Sequence, residues 1–437
     1  MNDTTGTRDA PQPDAAPPPP AADHEDAMRL YGPDVARDPV PLYEEMRRRF
    51  GPVAPVLLDG DVPAWFVLGY RELHHVAGHP EWFARDCRRW NQWDRIGDDW
   101  PLLPYVVWTP SVMFAEGDEH RRRAGAIGDA LAATGRAHLH TLCRQVADDL
   151  VDRFAQDGEA DLIGQYAHRI PAGVIARLYG IPAQEVPGLV EDNLLSLDTN
   201  PEAALAHQRI LERMRRVVAQ RREHPRDDIP SLLLNHPAGL TDEEVVVDLL
   251  VIMSAAQAPT GNWIGNTLRL MLLDDDFSLT LQGGRSSAGE ALNEVLWKNT
   301  PTQNFIGRWA VQSCELSGRR IRQGDLLVLG LAAANGDPRL NTGDLDMHAT
   351  NRAQMSFGHG EHGCPFPAPV IAETIARTAV ETLLDRLPDV RMAVAPEQLR
   401  WRPSIWMRGL YELPARFSAA LGVRHRTAAG STAAPTA

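Results

Sequence analysis

The chain of 437 residues is too long for one small core and long enough for one large or two medium domains. Hydrophobic residues make up 43 % and charged residues 23 %, an ordinary globular balance, and a formal charge of −14 argues against a nucleic-acid partner, which would want a basic face. Cys87, Cys143, Cys314 and Cys364 are far apart with no CxxC pair, so neither a disulfide framework nor a zinc site is suggested, and a reducing cytoplasm fits best.

Residues 1–25 are acidic, proline-rich and nearly free of large apolar side chains, unlike a signal peptide, and read as a disordered tail. The folded part is expected over 26–424, with a second tail over 425–437. "PVPLYEEMRRRFG" has helical spacing and a glycine stop, and "VAPVLLDG" with "AWFVLG" signals a hairpin around an aspartate-glycine turn. Residues 71–85 look helical. Residues 86–112 do not, and carry Trp90, Trp93, Trp100 and Trp108, either as a packed surface cover or as a lid over an apolar pocket.

From Asp118 to about Thr300 the pattern is almost all helical. Within it, Thr241-Asp-Glu-Glu244 is a capping box that opens a long apolar helix. The uncharged run Leu249–Leu268 is long enough to span a membrane, but its Ser, Gln, Pro, Thr, Gly and two Asn make it a buried core helix. Residues 305–335 alternate as strands with a turn at Ser317-Gly318. A last helix runs from about Pro369 to Leu387, and "WRPSIWMRGLYELPARF" reads as a closing β-hairpin. The expected architecture is mostly α with small peripheral β-sheets.

The chemistry concentrates at "SFGHGEHGCPFPAP", residues 356–369. Its glycines allow positive φ and close backbone approach to a flat ligand. A helix start just after Cys364 favours a thiolate, and a single thiolate on such a loop suits a haem with one protein ligand on its proximal side.

The stretch from Phe357 to Cys364 resembles the haem-binding loop of the cytochrome P450 haem-thiolate monooxygenases, Phe-Gly-x-Gly-x-His-x-Cys. "EGDEHRRR" and "FIGRWA" resemble two propionate-binding segments of that family, and "LAAANGDPR" with the closing stretch resembles its downstream sheet pieces. The likeness covers residues from about 30 to 420 and points to the soluble bacterial branch. It implies the cytochrome P450 fold, with haem b (iron protoporphyrin IX) between the long central helix and the cysteine loop. Cys364 would be the axial iron ligand, Phe357 and Gly358 would lie near the haem face, and His120, Arg308 and His362 would anchor propionates. Ala255 would line the haem from the long helix.

Four departures from the family stand out. Its Glu-x-x-Arg pair reads Glu294-Val295-Leu296-Trp297, and "NTGDLDMHATN" offers no second arginine, so Glu294 would be left alone and buried. Its acid–alcohol pair on the long helix is replaced by Ala258-Pro259; Thr260 is the candidate alcohol, although a helix turns about 100° per residue and Thr260 points elsewhere unless the register slips. The arginine four residues after the helix histidine is Ala124, with Arg122 or Arg123 as replacements. Pro365 and Pro367 carry no N–H to point at the sulfur, leaving Phe366 as the one donor among the first three residues after Cys364.

The resemblance implies oxygen insertion into, or oxidative coupling of, a small apolar metabolite, with ferredoxin and ferredoxin reductase as electron donors. Arg121-Arg122-Arg123 would dock the acidic carrier or serve as a solvated helix face. The altered acid–alcohol pair keeps two alternatives open: a catalytically degenerate haem-binding sensor or partner subunit, and a peroxide-driven oxygenase.

Overall fold

The computed structural model describes residues 24–196, 201–273, 288–340 and 351–419. Both expected tails fall almost wholly outside these residues, as do positions 341–350 of "NTGDLDMHATN". The N-terminal boundary needs correction: His24 is buried, 4.6 Å from the Trp65 ring and 3.2 Å from the Ala64 carbonyl, so ordered packing begins inside the expected tail.

Helices dominate. The long helix spans Asp242–Leu273 without a break, opened by the expected box: the Glu244 N–H donates to Thr241 Oγ1 and the Thr241 N–H to Glu244 Oε2. Long and apolar enough to cross a membrane, it instead runs through the main core, packed on Pro201–Glu223, Arg169–Leu178, Ala288–Lys298 and the C-terminal helix Ala368–Arg386.

The strands are β1 (Met28–Arg29), β2 (Val53–Leu58), β3 (Val62–Val67), β4 (Phe83–Ala84), β5 (Glu159–Asp161), β6 (Phe305–Ala310), β7 (Cys314–Leu316), β8 (Arg319–Ile321), β9 (Leu326–Leu329), β10 (Arg391–Met392) and β11 (Pro414–Arg416). They form a six-stranded sheet in the order β1-β2-β3-β9-β6-β4, a three-stranded sheet β10-β11-β5 and the hairpin β7-β8. The β2–β3 hairpin follows the aspartate-glycine turn as expected, from Val53 opposite Val67 to Leu58 opposite Val62.

Three local readings are corrected. The helix expected over 71–85 stops at Gly78, and Phe83–Ala84 joins the sheet as an edge strand. Residues 331–335 are helical rather than extended. The closing stretch makes one internal bridge, Trp401 to Leu410, and a second outward from Met407 to Thr302, before β11 pairs elsewhere; the Arg408 guanidinium, 3.7 Å above the Trp401 ring and bonded to the Ala36 and Arg37 carbonyls, draws the segment onto the N-terminal region. In the tryptophan-rich loop, Trp90 packs between Trp93 and Trp100, and the Trp93 and Trp100 Nε1 atoms donate to backbone carbonyls. Three of the four tryptophans are therefore packed cover, and only Trp108 is exposed.

Candidate functional site

The cysteine loop is a tight backbone knot. Gly358 and Gly360 adopt φ of 72° and 74°, which side-chain-bearing residues disfavour. A Cβ on Gly360 would lie 2.3 Å from the Ala77 carbonyl oxygen, so the loop can press against the helix Tyr70–Gly78 only without one. The Cys364 N–H donates to the Phe357 carbonyl at 2.8 Å, closing the turn and presenting the side chain. Cys364 is exposed by surface area, yet the protein packed behind it pushes its thiol up to about 12. The chain alone therefore holds a thiol there, and a metal that binds it must displace the proton. Phe357 packs edge-on against Trp263 of the long helix, centroids 5.8 Å apart, which ties loop to helix.

Beside the loop the structure gathers basic side chains. His120, from the helix Gly117–Ala132, meets His362 with ring centroids 4.0 Å apart. Arg308 is 1 % exposed on β6, aimed by a bulge in the β6–β9 register between Ile306 and Arg308. Gly307 makes that bulge possible, since a Cβ there would sit 2.7 Å from Leu329. Arg308 Nη1 donates to the Gly307 carbonyl, while its Nε is buried without a hydrogen-bond partner, and His120 Nδ1 faces Glu361 Oε1 at 3.6 Å, beyond hydrogen-bond length. Desolvation, together with neighbouring Arg85, lowers Arg308 to about 9. Desolvation, then Arg308, His120 and Arg85, lowers His362 to about 2.

Carboxylates stay at the margin of this cluster. Glu361 lies 3.6 Å from His120 and 3.1 Å from Arg121, and Glu116 accepts the Arg85 and Asp86 N–H groups. The buried guanidiniums of Arg85 and Arg308 bond only backbone carbonyls among the described residues, and burying cations without paired anions is costly, so the arrangement suits a ligand that brings its own carboxylates.

Ala255, with Ser254, is exposed midway along the long helix, otherwise a core helix. Thr260 is 3 % exposed on this helix, and five steps of about 100° set it roughly 140° round from Ala255.

The arginine run is also corrected. Arg123 is buried in a pair with Asp248 at 2.6 Å, and Arg122 pairs with Glu244. Neither replaces the arginine lost at Ala124, and only Arg121 remains exposed for docking, already engaged by Asp118 and Glu361. Glu294 is not a lone buried charge: it is half-buried and pairs with Lys298 at 2.8 Å. Behind the loop, neutral groups do the stitching. Trp297 Nε1 and Asn293 Nδ2 both donate to the Asn351 carbonyl, and Asn335 Nδ2 reaches Leu296 O, Thr300 Oγ1 and Ser356 Oγ while its Oδ1 accepts the Met355 N–H. Sequence reasoning missed this hub and missed Arg85. The one signal for Arg85 was a charged residue directly after the apolar pair Phe83-Ala84.

One thiol on a glycine knot, with a nearby nest of cations short of anions, fits a flat iron porphyrin carrying two carboxylates. The fold and donor set define a haem-thiolate protein. No protein-family model matches the chain. It is 30 % identical over 380 residues to cytochrome P450 107B1 of Saccharopolyspora erythraea, covering 85 % of this chain and 93 % of that protein. It is 27 % identical to the cytochrome P450 monooxygenase PikC of Streptomyces venezuelae, over 89 % of this chain and 94 % of that one. Its structure resembles CYP154C4 from Streptomyces sp. ATCC 11861 with a TM-score of 0.80 at 26 % identity, covering 91 % and 99 % of the two chains. The chain belongs to the cytochrome P450 family, whose cofactor is haem.

Proposed function

We propose that this protein is a haem-thiolate oxygenase that inserts oxygen into, or oxidatively couples, a small apolar metabolite. The observation that carries the reading is Cys364 presented on its glycine knot beside buried Arg85 and Arg308, which bond only backbone carbonyls among the described residues. When bound, the haem supplies the oxygen chemistry of the family. In this reading Cys364 would hold the iron, His120, Arg308 and His362 would hold the carboxylates, Phe357 and Gly358 would pack against the ring, and Ala255 would line the pocket from the long helix. The exposed Ser254–Ala255 stretch gives a substrate an apolar wall. Electrons come from a ferredoxin and its reductase, and the four free cysteines suit a reducing cytoplasm.

The oxygen side has no side chain built to pass protons. Ala258 and Pro259 cannot carry one, and Thr260 faces away, so protons must arrive through water. That same observation favours a second reading, in which peroxide delivers oxygen and no electron carrier is needed.

Purified protein should bind one haem, and its reduced carbon-monoxide complex should show the red-shifted band of thiolate-ligated iron. Cys364→Ser should abolish that band, whereas serine at positions 87, 143 and 314 should leave it in place. A band that survives Cys364→Ser overturns the assignment. Turnover of a metabolite library with reductase and with peroxide then separates the two oxygenases, and binding without turnover in either marks a sensor or partner subunit.

A further inference from the structure

We propose that Arg85 is a carboxylate-binding residue for the haem, standing in for the helix arginine that this chain lacks at Ala124. The inference rests on the haem reading above and extends it to a residue outside the matched motifs.

The first argument is register. β4 and β6 pair antiparallel, Phe83 opposite Ala310 and Ala84 opposite Trp309, so the next position sets Arg85 opposite Arg308. Like charges directly across a sheet repel, and both side chains are buried, at 2 % and 1 % exposure. The second argument is the Gly307 bulge. Its carbonyl accepts from both guanidiniums, Arg85 Nη1 at 2.8 Å and Arg308 Nη1 at 2.9 Å, holding the two cations side by side. Arg85 is further fixed by the Ile306 and Met113 carbonyls, which leaves its Nη2 group without a hydrogen-bond partner among the described residues. The third argument is vacancy elsewhere: one turn beyond His120 stands Ala124, while Arg122 and Arg123 are committed to Glu244 and Asp248. Two guanidiniums, each with free donors, match the geometry that carboxylates accept.

Haem transfer from the holoprotein to excess apomyoglobin tests this, using natural haem and its dimethyl ester, which has no free carboxylates. Arg85→Ala should speed loss of natural haem at least about tenfold and leave loss of the ester unchanged. Ala124→Arg in the Arg85→Ala background should slow it again. Arg88→Ala, an exposed change one loop away, should behave as wild type. Unchanged loss of natural haem overturns the proposal, and so does equal acceleration with both cofactors, which would mean that Arg85 only braces the carbonyls. If Arg85→Ala fails to fold, Arg85→Gln is read by the same criteria. Failure of the haem reading looks different: the wild-type protein takes up no haem, or Cys364→Ser keeps the thiolate band.

Discussion

Trp297 shows how a neutral side chain can stitch the region behind the cysteine loop. The indole is 6 % exposed and its Nε1 donates to the Asn351 carbonyl at 2.9 Å. The carboxylate one turn earlier has turned to Lys298. Trp297→Arg therefore inserts a cation with no acid waiting for it, and should lower the melting temperature by an amount equivalent to about 2–4 kcal/mol. Trp297→Phe keeps most of the bulk, loses the bond, and should cost only about 1 kcal/mol. A melting temperature that rises in Trp297→Arg would mean that an acid is within reach after all. At this scale the sequence was legible where a motif is contiguous, as from Phe357 to Cys364. It was illegible where partners come from separate elements. Nothing local to "RRR" says that its three members go to an exposed pair, a surface carboxylate and a buried aspartate respectively.

At the scale of the element, the long helix was read correctly because its start is chemically marked and its apolar run has no competing pattern. The face it presents followed from its 100° step, which is why Thr260 was suspect from the start. Edge and closing strands were harder. A two-residue strand such as β4 has no periodicity to read, and the closing stretch alternates like a hairpin while Arg408 pins it elsewhere. The helix also makes a functional prediction. With Ala258 and Pro259 in place of an acid and an alcohol, reductase-driven turnover should be poorly coupled, and much of the reducing equivalent should appear as hydrogen peroxide. Ala258→Asp with Pro259→Thr should raise the ratio of product to NAD(P)H consumed several-fold, read by peroxide and product assays in the same samples. A wild-type ratio already near one would show that the substrate brings its own proton path.

At the scale of the whole molecule, the sheet and the helical body are joined by a few buried polar ties, and Asp337 is one of them. It is 2 % exposed, accepts the Tyr70 N–H that starts the helix Tyr70–Gly78, and pairs with Arg339, which also reaches Glu72. Burial alone would raise its carboxyl; the Arg339 side chain and the Tyr70 and Arg339 N–H groups outweigh that and hold it at about 2. A carboxylate depressed in the folded state contributes stability that is complete above its unfolded value, near 3.8, and is lost as pH falls towards 2. Asp337→Asn should therefore cost about 2 kcal/mol in urea unfolding at pH 7, and the gap to wild type should narrow between pH 4 and pH 2. A gap that does not change with pH would assign the loss to packing. "LAAANGDPR" holds Asp337 and Arg339 side by side, but the tie itself was not visible there, because Tyr70 and Glu72 lie some 270 residues earlier in the chain.

The opposed arginines of β4 and β6 carry a consequence for the life of the chain before it is loaded. Repulsion between Arg85 and Arg308 weakens the pairing of a two-residue edge strand, and a dianionic ligand removes that penalty while adding its own binding free energy. Cofactor capture then works as a maturation checkpoint. On that proposal the newly made chain should be more open to proteases at this edge of its largest sheet until the porphyrin binds, so haem supply would govern how much protein survives as well as how much is active.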